Sequence, residues 1–236
     1  MPIRIHREIK GNIKQVIIKK HNSGKWFACI CTQEEIKVEK RDIKKVIGID
    51  VGLKHFLTDS DRRQIENPRF YKKTLERIEV VQHWLSRKQK GSKNREKQRV
   101  KLAKLYEKLV NQRDDFLHKL SRFYADNYDA ICVENLNIRN MVRNHNLAGR
   151  ILDASWGRFL QLLEYKAERA GALVVKVNPR GTSKERDKPL DRDYRASLNI
   201  LMRGWDSPET PAETKPLRKL IQVPVSSIIE AGSPFR

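Results

Sequence analysis

The chain is poor in cysteine, with thiols only at Cys29, Cys31 and Cys132. An odd, sparse set is no disulfide framework and fits a reducing cytoplasm. Cys29 and Cys31 are two apart in an alternating, strand-like run, so both face one side, where we expect small core residues rather than metal ligands. Long apolar runs are missing too. None approaches the roughly 18–20 residues that span a bilayer, so no membrane partner is expected. Met1 to Lys20 alternates apolar and basic residues and has no secretory h-region. Acidic charge is in deficit: 29 Asp+Glu stand against 50 Lys+Arg, a net charge of +21 over 236 residues. Such an excess favours a polyanion, nucleic acid ahead of an anionic lipid surface. Proline is absent from 69 to 126 and glycine occurs there once, at Gly91, so nothing prevents long helices in that stretch.

At 39% hydrophobic the chain can bury a real core, and its length suits one domain with an appendage. Residues 1–45 read as β structure, a partial barrel: Asn12–Ile18 and Trp26–Thr32 form a hairpin around His21–Lys25. Lys45–Leu53 is a buried strand ending in Asp50-Val51-Gly52. Leu53–Thr58 and Arg63–Glu66 complete an antiparallel meander. Residues 69–126 fit two helices broken at Lys90–Asn94. Leu102, Leu105, Leu109, Phe116, Leu120 and Phe123 lie at helical spacing in the second. Ala130–Asn135 is another buried strand, residues 139–150 a loop or frayed helix, and Ala154–Ala170 an amphipathic helix capped by Gly171. That helix turns Trp156, Phe159, Leu160, Leu163 and Tyr165 toward the core. Leu173–Val177 is the last strand, Gly181–Pro189 a charged loop, and Asp191–Met202 the last helix. Residues 206–236 read as a disordered tail. The order βββαβαβα implies an α/β fold, a mixed sheet with helices on both faces and a long helical hairpin inserted at 69–126. The main domain runs from 46 to 205.

Three carboxylates sit at the ends of core elements: Asp50 on the first sheet strand, Glu134 on the fourth, and Asp193 or Asp191 at the start of the last helix. A carboxylate in a core strand is costly unless a positive group pairs with it. Asp191 and Asp193 are separated by about 200° around a helix, so one of them points inward, and Asp193 is our choice. Oxygen-only ligands suit Mg2+ or Mn2+. Two such ions about 4 Å apart activate a water and stabilise a leaving oxygen, the chemistry of phosphodiester cleavage. On the helical hairpin, Arg87, Lys88, Lys90, Lys93, Arg95, Lys97, Arg99 and Lys101 lie mainly away from the apolar stripe and are candidate nucleic-acid contacts.

The stretches Gly48-Ile49-Asp50-Val51-Gly52-Leu53, Phe116-Leu117-His118-Lys119-Leu120-Ser121, Val133-Glu134-Asn135-Leu136, Ala154-Ser155-Trp156-Gly157-Arg158-Phe159, Leu163-Glu164-Tyr165-Lys166-Ala167 and Asp191–Leu201 together resemble the TnpB (OrfB) proteins of bacterial and archaeal insertion sequences. The final Glu230-Ala231-Gly232-Ser233-Pro234 is also similar to their tails. These proteins belong to the RuvC branch of the RNase H-like superfamily and are RNA-guided DNA endonucleases. The resemblance implies an RNase H-like sheet and a RuvC site at Asp50, Glu134 and Asp193. It also implies dependence on Mg2+ (or Mn2+), with guide RNA and target DNA as partners, in a prokaryotic cytoplasm at the nucleoid. The family pattern has further N-terminal barrel strands, a helical recognition region and a four-cysteine zinc ribbon. Lys184–Leu190 carries no cysteine, so no zinc is expected, and Arg195 replaces the usual asparagine. The chain resembles a shortened relative. The alternative is a protein of the same fold that binds RNA or DNA without cutting it.

Binding to a nucleic acid should weaken steeply with salt, because neutralised phosphates release counterions. Filter binding between about 50 and 200 mM salt checks this, and a flat response would contradict the charge argument.

Overall fold

The computed structural model describes residues 3–5, 8–180 and 191–206. The expected loop at 181–189, with its missing zinc ligands, and nearly all of the expected tail lie outside the described residues.

The described chain divides into two units, Met1–Lys37 with Phe70–Asp115 and Val38–Arg69 with Phe116–Arg236. In the first, β1 (Asn12–Lys20) and β2 (Trp26–Gln33) pair antiparallel as a hairpin. α1 (Phe70–Ser86) and the first part of α2 (Lys93–Asn127) form the helical pair. Ile78, Val81 and Leu109 are buried in it. The helices break over 87–92, with Gly91 at φ +83, so Lys93 and Asn94 of the expected break Lys90–Asn94 belong to the first turn of α2. Cys29 and Cys31 are exposed, not core as expected. Along β2 the partly covered positions are Ala28 and Ile30, so the cysteines occupy the opposite, open face. Alternation identifies two faces of a strand but not which one is covered.

In the second unit five strands form one sheet. β3 (Val46–Val51), β4 (His55–Asp59) and β5 (Gln64–Glu66) are the antiparallel meander. β6 (Ala130–Glu134) and β7 (Leu173–Val177) add in parallel on the other side of β3, giving the order β5-β4-β3-β6-β7. Ile47, Ile49, Ile131 and Val133 turn one face of the sheet into the main core with Phe56, Leu117, Leu120, Tyr124 and Phe159. α5 (Trp156–Arg169) adds to this core through Trp156, Phe159, Leu162, Leu163 and Ala167. Tyr165 lies off that stripe and is 41% exposed, contrary to the expectation that it points inward. Residues 139–150, expected as loop or frayed helix, carry α3 (Ile138–Met141) and α4 (His145–Ala154). Asn144, one of the asparagines that suggest a loop, caps α4 by accepting from Asn146 N, and Asn137, just ahead of the stretch, caps α3 by accepting from Asn140 N.

Two of the family-like motifs meet at one buried amine. Lys166 Nζ donates to the His118 carbonyl at 2.6 Å and to Ser121 Oγ at 2.9 Å, tying α5 to α2. His118 itself is exposed.

The other face of the sheet carries α6 (Arg192–Trp205). Gly48, Asp50, Cys132 and Glu134 alternate with the core residues and so share this face. A Cβ on Gly48 would come within 2.2 Å of the Ser197 carbonyl oxygen, and one on Gly204 within 2.3 Å of Cys132 Sγ. The helix therefore rests on the backbone of β3 and on a small side chain of β6. Gly48→Ala should force α6 off the sheet and cost about 1–3 kcal/mol. Gly149→Ala, in α4 with nothing within 4 Å of the new Cβ, should be neutral or stabilising by up to about 1 kcal/mol. Urea unfolding of both variants checks the contrast.

Candidate active site

Asp50 and Glu134 come together by register. β3 and β6 run parallel with Ile49 opposite Val133, so the next residues, Asp50 and Glu134, emerge side by side at the carboxyl ends of adjacent strands. In open α/β sheets that end is where ligands bind. Asp193 arrives from a distant part of the sequence, in the first turn of α6. All three carboxylates are half-buried.

Their proximity is expressed in the ionisation of Asp50. Burial, then the charges of Glu134 and Asp193, push its carboxyl up from 3.8 to about 7, while Arg192 opposes the rise. Arg192 is highly exposed, and its Nε lies 3.6 Å from Asp193 Oδ1. Asp191 has a different place. It is the N-cap of α6: its Oδ1 accepts from Asp193 N at 3.2 Å and its Oδ2 from Gln64 Nε2 at 2.6 Å. These bonds, with Lys54 and His55 nearby, hold its carboxyl below the ordinary range. Asp191 is absent from the groups that act on Asp50.

Thr58 stands directly opposite Asp50 on β4 and so shares its face. It is buried, and its Oγ1 has no hydrogen-bond partner. A polar atom in that state calls for a ligand or an ordered water. Sequence reasoning passed over Thr58, whose only signal is its alternation with Leu57 in β4. The set of carboxylates with one hydroxyl is all oxygen, and mutual repulsion would be relieved by a cation. These properties fit a hard divalent ion. Among the described residues, no three His, Cys, Asp or Glu side chains already close into a metal-holding group.

A second carboxylate, Asp59 at the end of β4, is fully buried and satisfied within the protein. It accepts from the backbone N–H of Asp61 and Arg63, from Arg63 Nε at 2.7 Å and from the Tyr124 hydroxyl at 2.8 Å. Burial and the neighbouring Asp59 charge push the Tyr124 hydroxyl far above its ordinary pKa. Asp59 thus fixes the turn between β4 and β5.

The basic residues separate into two groups. Arg87, Lys90, Lys93, Lys97 and Lys101 are exposed, and Lys88 Nζ lies 5.9 Å from the exposed Trp84 ring. Arg95 donates to the Leu85 and Lys88 carbonyls, closing the link between α1 and α2, and Arg99 pairs with Glu96 at 2.7 Å. Between the two helices lies a groove of about 780 Å³ with Lys73, Arg77, Lys101 and Lys108 on its walls and Val81 and Leu105 among its apolar lining. Of these cations only Lys101 belongs to the sequence-predicted set. The others have no motif to mark them.

No described helix is long and apolar enough to cross a membrane. A family model described as a probable transposase (OrfB of IS605) matches residues 29–145, and a Cas12f1-like TNB domain model matches residues 156–188. A Streptomyces pristinaespiralis protein named "Putative RNA-guided DNA endonuclease" is 33% identical over 69% of this chain and 40% of its own length. A protein of Escherichia coli bearing the same name with the suffix InsQ is 29% identical over 78% of this chain and 49% of its own. The chain thus spans half or less of the length of these relatives. A chain from the cryo-EM structure of a Cas12f1-sgRNA-target DNA complex superposes with a TM-score of 0.54. It is 19% identical and covers 74% of this chain and 42% of that one. That likeness identifies the mixed sheet and its helices as RuvC-like, an RNase H-like fold. From the two matched models, the relatives and the shared fold, the chain belongs to the TnpB (OrfB) family.

Proposed function

We propose that the chain acts as a metal-dependent DNA endonuclease of the RNA-guided TnpB type, serving insertion-sequence transposition at the nucleoid. One observation carries the reading. Asp50, Glu134 and Asp193 come from three separate segments and couple electrostatically at the carboxyl ends of two parallel strands. In this reading the three carboxylates hold Mg2+ or Mn2+. Such an ion, when bound, supplies Lewis-acid stabilisation of phosphoryl oxygens and a water that is nucleophilic at neutral pH. Burial and the neighbouring carboxylates favour the protonated form of Asp50 in the metal-free protein, and a bound cation would favour its ionised form. Thr58 Oγ1 offers a further polar contact at the same face. The basic groove and the exposed cations of the helical hairpin bind the phosphate backbone of guide RNA or target DNA, which contributes affinity without reading sequence. Sequence choice then comes from base pairing with the guide.

The second reading is a protein of this fold that binds nucleic acid without cutting it. The absence of a closed metal-holding group among the described residues favours it. The two readings separate in one assay. The protein is purified with any RNA that accompanies it, the RNA is sequenced, and the preparation is tested on plasmid carrying a matching target with Mg2+. The nuclease reading expects linear product that is lost in Asp50→Ala by at least about a hundredfold while binding persists. A wild type that binds but never cuts establishes the second reading.

The raised carboxyl of Asp50 also sets a pH dependence. The folded, metal-free protein keeps a proton that the unfolded chain gives up at its ordinary pKa of 3.8. The resulting stabilisation is complete below pH 3.8, declines as pH rises and is gone above about 7. The full loss is at most about 4 kcal/mol. Thermal unfolding in EDTA should therefore show a falling Tm between pH 5 and 8. Asp50→Asn should flatten that fall and raise Tm at pH 8, and Mg2+ should raise the wild-type Tm most at pH 8. A Tm of the metal-free wild type that matches Asp50→Asn at both pH values would contradict the proposed burial and coupling.

A further inference from the structure

The N-terminus of α6 must be held in place if Asp193 is to meet Asp50 and Glu134, and the structure shows what holds it. The starting point is rigid. Asp59 is fully buried and accepts four hydrogen bonds, so the turn from Asp59 to Arg63 has little freedom. Arg62 sits in that turn at φ 66, and its guanidinium lies 5.2 Å from the ring centre of Tyr194, a buried residue in the first turn of α6. Two residues further along, Gln64 begins β5 and donates through Nε2 to Asp191 Oδ2 at 2.6 Å. The other oxygen of Asp191 accepts from the backbone N–H of Asp193. Both carboxylate oxygens are thus committed, one to the edge of the sheet and one to the residue that carries the third acid.

We propose that Gln64 and Asp191 are positioning residues, a latch between the β4–β5 hairpin and the cap of α6 that fixes where the Asp193 carboxylate meets Asp50 and Glu134. The idea rests on the carboxylate site proposed above. It gives Asp191 a role distinct from that of Asp193: Asp191 ligates nothing and orients its neighbour. Groups that orient metal ligands in this way typically carry tenfold to a hundredfold of metal affinity.

The chemistry of the pair allows a swap. Gln64→Glu places a carboxylate against a carboxylate and breaks the latch. Asp191→Asn keeps the capping oxygen, since asparagine is as good an N-cap as aspartate. In the double variant Gln64→Glu/Asp191→Asn, the Asn side-chain amide donates to the Glu carboxylate, and the same bond is restored with donor and acceptor exchanged. Two readouts on the full chain are used. Hydrogen–deuterium exchange of the α6 first-turn amides in EDTA reads the anchoring alone. Mn2+ titration reads the site, with Asp50→Ala as the reference for loss of the ion.

The latch predicts faster exchange at residues 193–195 in Gln64→Glu and Mn2+ affinity at least about tenfold weaker. Both should return to within about threefold of wild type in the double variant. Unchanged exchange and affinity in Gln64→Glu overturn the proposal. So does failure of the double variant to recover affinity while its exchange recovers, because Asp191 would then be a ligand. If wild type takes up Mn2+ no better than Asp50→Ala, the metal reading itself fails and the positioning role with it. The exchange data then report only a structural anchor.

Discussion

Helix α6 lies directly on strands β3 and β6 because Gly48 and Gly204 leave no side chain to hold it away. On Gly48 the missing Cβ would sit 2.2 Å from the Ser197 carbonyl, so even the smallest substituent forces the elements apart. This close approach sets the height of the first turn of α6 over the sheet. Strand register then does the rest: Ile49 opposite Val133 brings Asp50 and Glu134 out at one level. Three acids separated by more than fifty residues at each step become neighbours through one glycine-mediated contact and one parallel pairing.

The resulting cluster runs against the composition of the chain. A protein with a net charge of +21 concentrates negative charge at one half-buried point. Desolvation and repulsion push the pKa of the Asp50 carboxyl up toward neutral pH instead of letting the cluster fly apart, since the strands and helix that carry it are anchored by the core. The basic groove of the helical pair and the acidic centre of the sheet each suit a phosphate-bearing ligand in a different way. The cations suit phosphate oxygens directly, and the carboxylates suit them through a metal ion. By contrast, Asp59 is a buried acid whose needs are met by Arg63, Tyr124 and backbone N–H groups. Burial alone does not mark a functional acid. The distinction lies in whether the protein itself supplies the donors.

Much of this architecture is legible in the sequence. The β-branched runs around Asp50 and Glu134 identify both strands, and the spacing of Asp191 and Asp193 allows only one of them to face inward. What escapes is everything that depends on which face is covered. The alternation at Cys29 and Cys31 is real, yet the opposite face of β2 carries Ala28 and Ile30 as the partly covered residues. Asn144 looks like a loop residue because the same side-chain oxygen that favours a turn also caps a helix. Gly48 reads as an ordinary strand glycine until α6 is seen against it. Gln64 carries no sequence signal and Thr58 only its alternation with Leu57, since their importance comes from partners more than a hundred residues away or across a strand.

The central claim is that Asp50, Glu134 and Asp193 share a divalent ion. Crystals of the full chain grown with Mn2+ and measured at the manganese absorption edge test it most directly. The account predicts an anomalous difference peak in contact with oxygens of all three carboxylates, absent from crystals of Asp50→Ala. Well-ordered carboxylates with no peak between them at saturating Mn2+ would contradict it, as would a peak bound by Asp191 in place of Asp193.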